Sequence, residues 1–153
     1  MTPALLSVND LTITFPSAES EKSVVRNVSF DIKAGEVLAV VGESGSGKTM
    51  VARSVLGLLP SGGKVSGGSI DFQGKNLANL SQKTLQSIRG TAITMIFQEP
   101  MVSLNPALKI GYQMCEAAKH HTKMSAAEIR ARAVKLLERV HIKDPENCLN
   151  KYP

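Results

Sequence analysis

Val37-Leu38-Ala39-Val40-Val41-Gly42-Glu43-Ser44-Gly45-Ser46-Gly47-Lys48-Thr49 is the stretch from which the rest of the chain can be read. Five aliphatic residues with no polar alternation predict a strand buried on both faces, as in a parallel sheet. The next eight residues match the phosphate-binding pattern G-x-x-x-x-G-K-[ST] at every fixed position. Beyond them Val51, Ala52, Val55, Leu56 and Leu59 fall at helical spacing, and Pro60 with Gly62-Gly63 closes a helix predicted over 48–59. Glycines let such a loop turn its N–H groups onto phosphate oxygens, and the following helix adds its positive dipole end. Lys48 supplies a mobile charge for the outer phosphates, and the Thr49 hydroxyl suits Mg²⁺. The pattern therefore predicts a nucleotide site made by Gly42, Glu43, Ser44, Gly45, Ser46, Gly47, Lys48 and Thr49. The competing reading is a Gly/Ser-rich turn with an incidental lysine.

Upstream, apolar residues alternate with polar ones at Leu11, Ile13 and Phe15 and again at Val28, Phe30 and Ile32, the period-2 pattern of half-buried strands. Residues 16–23 read as a polar loop between them. Downstream, 61–68 reads as a flexible connector, 69–73 as a short strand, 81–89 as a helix capped by Ser81, and 93–97 as another apolar strand. After Gln98 the character is helical. A helix is predicted over 110–119, and Ser125-Ala126-Ala127-Glu128 has the form of a capping box. Ile129, Ala133, Leu136, Leu137 and Val140 then make one apolar stripe, expected to be core. The expected organisation is an ATP-binding core over 1–98 and a partial helical subdomain over 99–153.

The 153 residues suit one domain, and 42% hydrophobic with 20% charged residues is ordinary globular usage. The longest aliphatic run is the five residues at 37–41, against about 20 for a membrane-spanning helix. No signal-peptide pattern stands at the N-terminus, so a cytosolic setting is expected. Cys115 and Cys148 lack paired spacing and fit reduced thiols. The net charge of +5 is scattered, and with four Phe, two Tyr and no Trp it gives no sign of nucleic-acid binding. His120-His121 project about 100° apart on a helix and make poor joint metal ligands. Glu43 and Glu99 are not placed as an acid/base pair.

Two strands of antiparallel type precede the phosphate-binding loop, with Phe15 at the end of the first. In this the chain resembles the ATP-binding subunits of ABC transporters. The run Phe97-Gln98-Glu99-Pro100-Met101-Val102-Ser103-Leu104-Asn105-Pro106 narrows the resemblance to the oligopeptide, dipeptide, nickel and glutathione importer branch. The resemblance implies an α/β, P-loop NTPase fold with an N-terminal antiparallel strand region and a helical subdomain, incomplete at the C-terminus. It implies ATP and Mg²⁺ as ligands and Phe15 as a platform for adenine, although a strand-end core aromatic is the alternative for that residue. It implies that Gln98 approaches Mg²⁺ together with Thr49, and that the loop after Gln98 faces transmembrane permease subunits. A second ATP-binding subunit is the implied dimer partner, and the implied location is the cytoplasmic face of the membrane.

The resemblance runs to Tyr152-Pro153. The family's signature motif, its Walker B strand and its switch histidine have no counterpart in the sequence, so ATP binding without turnover is expected. Two other readings stay open: a non-catalytic nucleotide-binding or docking module, and a different P-loop ATPase or GTPase. The last lacks support from an N-K-x-D motif, because Asn150-Lys151 is followed by Tyr152-Pro153. Without a neighbour for the strand at 37–41, its apolar edges are expected to make the chain poorly soluble.

Overall fold

A computed structural model of the chain describes residues 3–18, 20–98 and 103–153. It contains two compact units that divide between Gln86 and Ser87.

The first unit is built on an antiparallel sheet. Strands β1 (Ala4–Pro16) and β2 (Glu21–Lys33) form a long hairpin, joined by a tight turn in which the Ser17 N–H donates to the Ser20 carbonyl at 2.9 Å. The loop expected over 16–23 is thus shorter, and pairing resumes at Glu21. Two further strands, β3 (Lys64–Phe72) and the short β4 (Lys75–Asn76), complete the order β2-β1-β3-β4. Lys64 already pairs with Thr14, so most of the expected connector over 61–68 is strand.

The buried face carries Val8, Leu11, Ile13, Val25, Ile70 and Phe72. Val8 and Leu11 are three apart, which strict alternation would send to opposite faces. A register shift between them returns both to the core, with Asp10 at φ 47° and, on β2, Asn27 at φ 47°. Opposite this irregularity stands Gly68 at φ 80°, where a Cβ would lie 2.2 Å from the Asn9 carbonyl oxygen. Only glycine satisfies both conditions.

Helix α1 (Lys48–Val55) packs against β2 and against a 3₁₀ turn (Leu77–Asn79). Val51 and Ser54 are its buried residues, with Leu56 just beyond its end, and Leu77 and Leu85 add to the core of this unit. Each fully buried aliphatic side chain contributes about 1.5–3 kcal/mol relative to exposure. Helix α2 (Gln82–Ile88) begins as expected after Ser81, whose Oγ accepts from the Thr84 N–H at 3.2 Å.

The two expected apolar strands do not form. Residues 37–41 have no ladder partner, and Val37 and Val41 are 94% and 91% exposed. Residues 93–97 make one isolated bridge, Arg89 to Ile93, and Ile96 is 97% exposed. A strand exists only where another backbone accepts its N–H and C=O groups, and the one described sheet places none beside these segments.

The second unit is helical: α3 (Ile110–His121), α4 (Ala126–Arg139) and the short α5 (Pro145–Cys148). The capping box is present. Ser125 Oγ accepts from the Glu128 N–H at 3.3 Å while Glu128 Oε2 accepts from the Ser125 N–H at 2.7 Å. Cys115, Ile129, Ala133, Leu137 and Leu149 form the core, and both cysteines are free thiols. The expected stripe on α4 is only partly buried, because Leu136 and Val140 are 44% and 65% exposed. Residues 129, 133 and 137 share one i, i+4 row, which packs on the core. Leu136 and Val140 continue the neighbouring row toward solvent.

At the start of α3 the Ile110 and Gly111 N–H groups donate to the carbonyls of Lys151 and Leu149, both at 2.9 Å. A Cβ at Gly111 would stand 2.7 Å from the Leu149 oxygen, so glycine is what lets the C-terminal segment dock there.

Candidate functional site

The loop over 42–47 passes from the extended apolar segment into α1 with two left-handed residues, Gly45 at φ 81° and Gly47 at φ 93°. A Cβ at Gly47 would lie 3.0 Å from the Val24 carbonyl oxygen and from Val25 Cγ2 on β2, so this glycine seats the helix start against the sheet. The turn is closed by the Ser46 N–H donating to the Glu43 carbonyl at 3.2 Å. Helix α1 has neither a side-chain cap nor an acidic residue in its first turn. Its first N–H groups lack intrahelical acceptors, and its positive dipole end is not offset by a carboxylate there.

Lys48 folds back over the loop. Its Nζ donates to the Gly42 carbonyl at 2.7 Å, to the Glu43 carbonyl at 2.6 Å and to Ser46 Oγ at 3.3 Å. An ammonium has three donors, and all three are used within the loop it serves. Thr49 lies exposed in the first turn of α1. Of the eight sequence-predicted residues, Gly42, Glu43 and Ser46 thus meet on the Lys48 ammonium.

Phe15 is half-buried at the end of β1, and its ring lies on Gly63: a Cβ added there would be 2.6 Å from Phe15 Cζ and 2.7 Å from Cε1. The strand end is pinned beside the ring. Glu21 accepts from Lys64 Nζ at 2.5 Å and from the Thr14 hydroxyl at 3.1 Å, and these bonds hold its carboxyl below the usual 4.5. Gly63 carries no sequence signal of its own beyond closing the preceding helix. Its role emerges from its contact with the ring.

Gln98 belongs to the second unit, where it occupies an exposed bend. Glu99, Pro100, Met101 and Val102 of the run that follows it lie outside the described residues. Among the described residues no three His, Cys, Asp or Glu side chains gather into a metal site. Thr49 offers an exposed hydroxyl oxygen, a hard donor. Gln113, which no motif marks, reaches back from α3 to the Asn105 N–H and to the carbonyls of Asn105 and Leu108.

A family model described as ABC transporter matches residues 25–152, a span that contains the whole loop, Lys48, Thr49 and Gln98. The chain belongs to the ABC transporter family. Among its relatives, the oligopeptide transport ATP-binding protein OppD of Bacillus subtilis is 45% identical over 150 residues, covering 97% of this chain and 42% of that protein. The dipeptide transport ATP-binding protein DppD of Lactococcus lactis is 41% identical over 150 residues, covering 97% and 43%. This ABC chain therefore spans under half the length of these relatives.

Among solved structures, the dimeric structure of a bacterial ABC transporter cassette superposes with a TM-score of 0.81 at 25% identity, covering 97% of this chain and 61% of that one. A second, a dimeric ATP-binding cassette in a post-hydrolysis state bound to ADP and Pi, gives 0.79 at 23% identity and likeness of fold alone. No described helix of the ABC chain is long and apolar enough to cross a membrane.

Proposed function

We propose that this chain binds ATP through its 42–49 loop and supplies the nucleotide-binding part of a peptide-type ABC importer. The observation that carries the reading is the Lys48 ammonium gathered over the loop next to an uncapped helix N-terminus. Phosphate oxygens are stronger acceptors than the carbonyls that now hold Lys48, so an incoming triphosphate takes over the ammonium and the helix N–H groups together. Thr49 would hold Mg²⁺, which would offset the charge of the phosphates; by the resemblance, Gln98 would be a second ligand. Phe15 would stack on adenine.

In the assembled importer the partners are transmembrane permease subunits and a second ATP-binding subunit, with this chain peripheral on the cytoplasmic face. The named relatives, both transport ATP-binding proteins for oligopeptides or dipeptides, favour that assembly over a soluble P-loop enzyme.

Titration with a fluorescent ATP analogue tests the binding. Wild type should bind and Lys48→Ala should lose at least about tenfold in affinity. Equal affinity would remove the loop from the site.

A further inference from the structure

Helix α4 carries its side chains in rows four residues apart, and three of these rows differ in what they face. Ile129, Ala133 and Leu137 form the row that packs on the core of the second unit. Arg132, Leu136 and Val140 form the next, with Leu136 44% and Val140 65% exposed. Lys135 and Arg139 form the third, and like Arg132 they stand in solvent. The chain just beyond the helix continues the same chemistry, with Ile142 and Lys143 both exposed.

Carboxylates do not offset this strip. Glu128, one turn before Arg132, gives its carboxyl to Ser125, and those bonds hold it below the usual 4.5. Asp144 is taken up as the cap of α5, where it accepts from the Asn147 N–H at 3.4 Å. Glu138 stands on another row, with Arg130 and Val134, on the far side of Lys135 from Leu136. Among the described residues the ion pair joins Glu21 and Lys64 in the first unit, and none engages Arg132, Lys135, Arg139 or Lys143.

An exposed apolar row flanked by unpaired cations is the pattern of a helix that lies on an anionic bilayer. Apolar side chains enter the boundary between headgroups and acyl chains while lysine and arginine reach the phosphates. An apolar protein surface laid on the same strip would strip water from Lys135 and Arg139 without returning an acceptor. We propose that the Leu136–Val140 side of α4, with Arg132, Lys135, Arg139 and Lys143, rests on anionic phospholipid headgroups. The proposal goes beyond the importer reading and does not depend on nucleotide binding, since it gives the second unit its own contact with the bilayer.

Vesicle flotation tests it, because bound chain rises with the lipid while aggregated chain sinks. Vesicles of equal parts phosphatidylcholine and phosphatidylglycerol are compared with vesicles of phosphatidylcholine alone. Wild type should float with the anionic vesicles, bind the neutral ones at least about tenfold more weakly, and be released by added salt. Lys135→Gln/Arg139→Gln should weaken binding about thirtyfold. Lys33→Gln/Lys75→Gln removes the same charge from exposed sites of the first unit and should weaken it no more than about twofold. Val140→Ser, at a site already exposed, should keep the helix by circular dichroism and weaken binding about fivefold. Should that variant lose the helix, Leu136→Gln carries the comparison. Wild type that stays below the anionic vesicles overturns the proposal and leaves the strip to a protein partner. Equal losses in the two charge variants overturn it too, since net charge would then suffice, and so does unchanged binding by the variant of the apolar row. Affinity for the fluorescent ATP analogue should stay within about twofold throughout, so a chain that floats but ignores ATP sinks the nucleotide reading alone.

Discussion

The ammonium of Lys48 sits 2.7 Å from the carbonyl oxygen of Gly42, six residues earlier in the chain. The loop thus closes on its own lysine, and nucleotide must exchange these carbonyls for phosphate. Because each contact is charge-assisted on the lysine side, geometry as well as charge matters. Lys48→Arg should therefore fail to restore the affinity that Lys48→Ala loses, its planar fork being unable to copy a compact ammonium held by converging acceptors. Isothermal titration with ATP and Mg²⁺ measures it, and near-wild-type binding by the arginine variant would mean that charge alone suffices.

Gly47 predicts a structural cost that precedes any effect on binding. A side chain there meets the Val24 carbonyl at 3.0 Å and must adopt φ 93°. Gly47→Ala should destabilise the first unit by about 1–3 kcal/mol, seen as a lower urea midpoint with an unchanged slope. The same substitution at Gly45, also left-handed but with open space around it, should cost less.

The Phe15 ring and Gly63 separate stacking from packing. Gly63→Ala drives the ring from its seat without touching the phosphate loop, because the new methyl cannot coexist with Cζ at 2.6 Å. Affinity for ATP should fall several-fold while affinity for inorganic triphosphate stays as in wild type, a difference of about 1 kcal/mol. Parallel losses for both ligands would assign Phe15 to the core.

Acid should loosen the end of the β1–β2 hairpin. Glu21 has its carboxyl lowered by its hydrogen bonds to Lys64 and Thr14, so its contribution to stability is complete above the unfolded value near 4.5. It is lost as pH falls through the lower folded value. The Glu21 and Lys64 side chains are both exposed, which keeps the effect small. Chemical denaturation from pH 6 to 3 should show a steeper loss in wild type than in Glu21→Gln, and parallel curves would remove Glu21 from the account.

The apolar segment at 37–41 should govern self-association. Val37 and Val41 project into solvent from a backbone with no ladder partner, the condition under which strand edges pair between molecules. Val37→Lys should raise the concentration at which light scattering appears, and an unchanged onset would place the association elsewhere.

By itself the amino-acid sequence determined several features whose chemistry is local. The Ser81 cap and the Ser125–Glu128 capping box depend on residues a few positions apart, and both are present. The hairpin strands were legible in outline, because alternation reports a half-buried face. Tertiary structure alone decided what depends on a distant partner. Apolar residues at 37–41 state that a strand could be buried, but only a neighbouring backbone makes one, and none is placed there. The α4 stripe likewise names five candidates, of which the packing of α3 and Leu149 selects Ile129, Ala133 and Leu137. The contact of Phe15 with Gly63 joins residues 48 positions apart, and the Gln113 clamp depends on how α3 starts. Neither leaves a periodicity to read, because hydrogen bonds and close contacts across a fold are set by three-dimensional proximity rather than by spacing along the chain.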